Sequence, residues 1–129
     1  MQFDWRDFLE VAHDLRNDKR ESVQRTSLGR AYYYVYNLGL IKAKTQNFRT
    51  GRGGMHKQLW DWYQSQTDPI IRQMGIEANR MHATRISADY KDASIQDIAR
   101  EVEIQLARAR TFETLMAELD GQAPPLALP

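Results

Sequence analysis

A chain of 129 residues, 42% hydrophobic and 27% charged, has the size and composition of one folded domain with its own core, and not of a disordered segment. It contains no cysteine, which excludes disulfides and thiolate metal sites and suits a reducing cytoplasmic compartment. The opening residues, MQFDWRDFLE, carry acids and no apolar run, so neither a signal peptide nor a membrane span is expected there.

A first helix is expected over 4–17. Trp5, Phe8, Leu9, Ala12 and Leu15 recur at spacings of three and four and make one apolar face, with His13 off it at the surface. A second helix is expected over 22–44. Its core stripe is Leu28, Ala31, Val35 and Leu38, extended by Ile41, and Gly39 inside it points to a close helix crossing. The glycine- and arginine-rich run from Asn47 to His56 reads as a flexible basic loop, followed by a third helix with Met55, Leu59, Trp60 and Tyr63 on one side. Asp68-Pro69 is a start signal, an N-cap acid before proline at the first helical position, for a fourth helix reaching Asp89-Tyr90. Ser94 and Asp97 resemble a capping box for a fifth, with Ile95, Ile98, Val102, Ala109, Phe112 and Met116 as its stripe and Gly121 as its stop. The expected fold is all-α: a five-helix antiparallel bundle, one domain over 1–121, then a flexible proline-rich tail over 122–129.

The net charge of +1 is unevenly spread. From Ser22 to Trp60 there is no Asp or Glu, yet the segment holds Arg25, Arg30, Lys42, Lys44, Arg49, Arg52 and Lys57. The rest of the chain has 11 basic and 17 acidic residues. A one-sign segment on a near-neutral chain suits an anionic partner such as RNA or a nucleotide, although such charges also simply solvate a helix and a loop. Within it lies RAYYYVYNL, with four tyrosines in five positions, Tyr32 to Tyr36. Tyrosine is an indifferent helix former, so packing or polar contacts must ask for these rings. Tyr32 and Tyr36 are expected as core filler. Arg30, headed into apolar surroundings, is expected to pair with Asp89 inside the bundle, near Tyr33 and Tyr90.

Three short motifs carry a family resemblance. Arg30-Ala31-Tyr32-Tyr33 is similar to the early-helix signature of the HEPN superfamily (higher eukaryote and prokaryote nucleotide-binding domain). Arg85-Ile86-Ser87-Ala88-Asp89-Tyr90 resembles its Arg-x-x-Ala-Asp-Tyr element, and Gly54-Met55-His56 the start of its middle helix. Their order and spacing follow the family over nearly the whole chain. The resemblance implies a helical bundle of HEPN type, often a homodimer. It implies either a metal-independent endoribonuclease of toxin–antitoxin, defence or RNA-processing systems, or a non-catalytic module that binds nucleotides or partners a nucleotidyltransferase or antitoxin. Nuclease members carry Arg, four to six residues, then His.

Arg49 and His56 have that spacing, with six residues between them, and are the expected catalytic pair. Histidine can move a proton near neutral pH, and the arginine fork can stabilise charge on a phosphorus-centred transition state. Here the pair straddles a glycine-rich loop in mid-chain, so an alternative role for His56 is to cap the third helix. His82 reads as an ordinary helix residue. Arg49, Arg52 and Lys57 are the expected phosphate contacts. No metal motif and no Gly-Lys-Ser/Thr phosphate loop is present, and no cofactor is expected. Trp60, Trp62 and Tyr63 cover most sides of one helix and suggest a homodimer.

Overall fold

The structure, a computed structural model, describes residues 2–129. Among these, five helices and no strand are found: α1 (Arg6–Leu15), α2 (Glu21–Thr45), α3 (Met55–Ser65), α4 (Pro69–Tyr90) and α5 (Ile98–Leu119). The fold is an all-α five-helix bundle. Among the described residues, no helix is long and apolar enough to cross a membrane.

Helix α2 is the centre, packing against each of the other four. That position explains the tyrosines. Tyr32, Tyr34, Val35 and Tyr36 are all buried, so neighbours cover α2 on most of its sides rather than along one stripe. Phenols held among helices need partners, and of the four tyrosines, the half-buried Tyr33 included, three have a hydroxyl partner. The Tyr32 oxygen meets Trp60 and His56, Tyr34 donates to Glu113, and the Tyr33 oxygen accepts from Arg85. The tertiary need for large rings with polar tips overrides helix propensity here. At the far end the stripe stops short. Ile41 is 48% exposed and does not extend the core.

Two glycines set the helix crossings. A Cβ on Gly39 would stand 2.7 Å from Trp60 Cη2, so α2 and the Trp60 ring of α3 can approach only because it is absent. A Cβ on Gly75 would stand 2.6 Å from Tyr63 Cβ, which does the same for α3 and α4. Trp60 and Tyr63 are thereby buried within one chain, and Trp62 packs on Phe48. These rings do not require a second copy to cover them.

The helix ends follow local chemistry. The Asp68 carboxylate accepts from the Ile70 N–H at 2.8 Å, with Pro69 in the first turn. Gly121, at φ 67°, closes α5: its N–H reaches the Glu118 carbonyl and the Gln122 N–H reaches that of Ala117, a Schellman arrangement. The start of α5 differs from expectation. Asp97 sits in the left-handed region at φ 49° and caps nothing with its side chain, so the helix begins at Ile98 and Ser94 lies outside it. A left-handed residue cannot continue a right-handed helix, and the Ser94–Asp97 capping box does not form.

One buried charge escaped the pattern. The Glu113 side chain is fully enclosed, yet it accepts from Arg6 Nε at 2.6 Å, Tyr34 at 2.6 Å and Arg110 at 3.3 Å. The hydrogen bond that Arg6 donates to Glu113 is the main cause that raises the Arg6 pKa. The same two arginines reach the tail: Arg6 donates to the Leu126 carbonyl at 2.6 Å and Arg110 to that of Pro125. Residues 122–129 are non-helical, and Leu128 packs on the core.

The expected Arg30–Asp89 pair is not formed. Arg30 is exposed, with its guanidinium 5.0 Å from the centre of the Phe8 ring of α1. Asp89 is instead held by Arg85, one turn earlier on α4, at 2.8 Å. A partner on the same helix face already neutralises Asp89, and Arg30 reaches water, so neither needs the other.

Candidate functional site

The centre of interest is where α2, α3 and α4 meet. His56 stands in the first turn of α3, and His82 is half-buried in the middle of α4. Their rings stack at 5.1 Å with 11° between planes. Tyr36 covers His56 at 4.0 Å, and Tyr32 stacks on His82 at 5.3 Å. Sequence spacing alone does not show this pairing, since the two histidines lie on different helices, 26 positions apart.

Hydrogen-bond logic assigns the His56 tautomer. Trp60 Nε1–H can only donate, and it donates to the Tyr32 oxygen at 3.0 Å. Burial holds the Tyr32 phenol far above its ordinary pKa, so its proton stays on. That proton has His56 Nδ1 as its acceptor, 2.6 Å away. His56 is then neutral, with its hydrogen on Nε2. Electrostatics agree: burial first, then His82 and Arg85, push His56 down to about 4. Burial and Arg85 also lower His82. Both imidazoles are therefore neutral at pH 7, and no side-chain hydrogen bond occupies the His82 ring. The role of His56 as an α3 cap is excluded by the same geometry, because Gly54 is the N-cap and no side-chain cap bond exists.

Arg85 is the cation of this centre. Its side chain is 13% exposed, donates to the Tyr33 hydroxyl and lies over the rings of Tyr33 and Tyr90, at 4.9 and 5.6 Å. Its Nε stands 2.8 Å from Asp89 Oδ2, off the line of a hydrogen bond, so that contact is one of charge. Four of the five residues expected as a structural motif thus gather here: Tyr33, Arg85, Asp89 and Tyr90. Arg30 stands apart from the Arg85 contacts.

The basic segment resolves into committed and free charges. Arg25 bonds the carbonyls of Ala88, Lys91 and Ala93 and pairs with Glu21, so it braces the end of α4. Lys42 pairs with Asp120 and Lys57 with Asp61. Among the described residues, Arg30, Lys44, Arg49 and Arg52 have no ion pair. Arg49 and Lys44 line an open cleft of about 380 Å³ with Asn47, Phe48, Thr50 and Met55. Gln58 holds the neighbouring loop: its Oε1 accepts from Gly51 N–H at 2.6 Å and its Nε2 donates to the Arg52 carbonyl at 2.9 Å. No hydrogen bond joins Arg49 to His56, whose ring is engaged by Tyr32, Tyr36 and His82. Of the expected catalytic pair, the structure places His56 in the cluster and Arg49 on the loop. Among the described residues, no group of three or more His, Cys, Asp or Glu is placed to hold a metal ion.

No family model, no curated protein and no solved structure matches this chain.

Proposed function

We propose that this protein is a HEPN-like RNA-binding protein that cleaves RNA without a metal, in the manner of the endoribonucleases of toxin–antitoxin and defence systems. The observation that supports it is the stacked pair of neutral imidazoles beside Arg85. The free charges of Arg49 and Arg52, with Lys44, grip the phosphate backbone, and Lys57 adds to them when Asp61 releases it. His82, whose ring nitrogens have no hydrogen-bond partner among the described residues, takes the proton of the ribose 2′-hydroxyl. O2′ then bonds to phosphorus and the P–O5′ bond breaks. His82 returns the proton to O5′, leaving a 2′,3′-cyclic phosphate and a 5′-hydroxyl. His56 Nε2–H donates to a non-bridging phosphate oxygen, and the Arg85 charge favours the extra negative charge of the transition state. RNA brings its own nucleophile, so nothing further is required.

The second reading is a non-catalytic module that partners another protein, such as a nucleotidyltransferase or an antitoxin. Exposed apolar Ile41 and Met55, at 48% and 43%, favour it. Incubating the purified protein with total RNA in EDTA separates the two. Fragments with cyclic phosphate ends support cleavage. Intact RNA, with binding retained, supports the module.

A further inference from the structure

Arg30 and Asp89 do not pair, but they line one cleft between α2 and α4. It measures about 180 Å³, and Thr26, Gly29 and Tyr33 complete it. The volume suits one planar heterocycle. The polar groups around it are unspent. Arg30 makes no hydrogen bond with its guanidinium, which lies over the Phe8 ring of α1, so its donor fork is free to turn on its long stem toward a ligand in the cleft it lines. Asp89 gives Oδ2 to Arg85 and keeps Oδ1 without a protein donor. The Tyr33 oxygen accepts from Arg85, so the phenol proton remains to be donated. Gly29 forms the floor. A Cβ there would stand 4.0 Å from Asp89 Oδ1, in ordinary contact, and would narrow the space beside the carboxylate without disturbing the packing.

A cleft that a guanidinium can close from one side and that has a carboxylate on the other selects among bases. Guanine offers acceptors at N7 and O6 on one edge, which a guanidinium meets with two hydrogen bonds. Its N1–H and N2–H donors adjoin O6 and face a carboxylate. Adenine turns the N1 lone pair toward that carboxylate and is repelled. Uracil brings one donor to it, and cytosine brings one donor beside an acceptor. Tyr90, 69% exposed beside Arg85, provides an aromatic face at the same end of α4 for a neighbouring base.

We infer that the Arg30–Asp89 cleft is a guanine-binding subsite. The inference rests on the RNA reading above and names the base that the site takes. The ligand is the guanine base itself, whether in an RNA strand or in a free nucleotide.

The test titrates the full chain with GMP, AMP, CMP and UMP by calorimetry, and repeats it with Arg30→Ala and Gly29→Ala. GMP is expected to bind roughly tenfold tighter than the other three, as one bidentate base contact would give. Arg30→Ala removes an exposed side chain, and Gly29→Ala places a methyl in ordinary contact with Asp89, so both fold. Both are expected to lose the GMP preference while the thermal midpoint holds. A second arm compares single-stranded oligonucleotides with and without guanine, which separates strand recognition from free-nucleotide binding. Equal affinity for the four nucleotides overturns the subsite, as does GMP binding that both variants leave unchanged. Absence of cleavage with the GMP preference intact removes the nuclease reading and supports the subsite. Cleavage with no guanine preference at any position overturns the subsite and leaves the nuclease reading standing.

Discussion

Lowering the pH should destabilise the fold through His56. The folded imidazole is held down to about 4, whereas an unfolded histidine titrates near 6.5. Between those values the unfolded chain takes up a proton that the folded chain refuses. Stability is therefore fully present above pH 6.5 and is lost as the pH falls toward 4. Each pKa unit is about 1.4 kcal/mol, so a shift from 6.5 to 4.5 in pH removes up to roughly 2.7 kcal/mol, and partial exposure of the ring brings this to about 2 kcal/mol. The structural cause is specific. A proton on His56 Nδ1 collides with the Tyr32 hydroxyl hydrogen, which Trp60 N–H prevents from turning freely. His82 shifts in the same direction and adds to the loss. Urea unfolding followed by tryptophan fluorescence, at pH 7.5 and 4.5, measures the effect. Carboxylates titrate over the same range, so the informative quantity is the difference between the parent and His56→Gln, which retains an acceptor for Tyr32. The variant should lose about 2 kcal/mol less than the parent. Identical pH dependence in both proteins would refute the neutral, half-buried assignment of His56.

Three further outcomes follow from the packing and the charges. Gly39→Ala should cost about 1–3 kcal/mol in thermal or chemical unfolding, because the new methyl meets the Trp60 ring at 2.7 Å and the Phe112 ring at 3.3 Å; an unchanged midpoint would mean the crossing is looser than described. Glu113→Ala should cost about 3–5 kcal/mol and free the tail to early proteolysis, since it strands Arg6, Arg110 and the Tyr34 hydroxyl; a stable variant with a protected tail would contradict the network. Arg49→Ala with Arg52→Ala should weaken RNA binding and lower its salt slope by about 2, read from affinities over a salt series, whereas unchanged binding would make this loop a solvated one only.

Helical periodicity carries most of the fold, and two helix ends rest on residues with strong backbone preferences, Asp68-Pro69 at the start of α4 and Gly121 after α5. The start of α5 departs from the sequence expectation because a capping pair in sequence is only an opportunity, and Asp97 takes a left-handed conformation instead. Gly39 could be read as a crossing from its place in a helix, but Gly75 could not, since nothing in sequence says which helix will press on it. The site was half visible. His56, Tyr33, Arg85, Asp89 and Tyr90 stand out by type and motif. The partnership of His56 with His82 depends on how α3 and α4 lie side by side, which no spacing within one helix encodes. Arg30 misled for a similar reason: an arginine among aromatic residues looks buried in one dimension, yet its long stem lays the charged head over Phe8 at the surface. Glu113 lies within the fifth helix's apolar stripe, and its acceptance there depends on Arg6 from more than a hundred residues away.

The most direct test of the central claim is single-turnover cleavage of a labelled RNA in EDTA by the parent and by His82→Gln, with RNA occupancy matched by direct binding. The parent is expected to cut the RNA to a 2′,3′-cyclic phosphate product, and the variant to lose at least about a hundredfold in rate with binding unchanged. RNA left intact by the parent under full occupancy, or cut equally by both proteins, would contradict the claim.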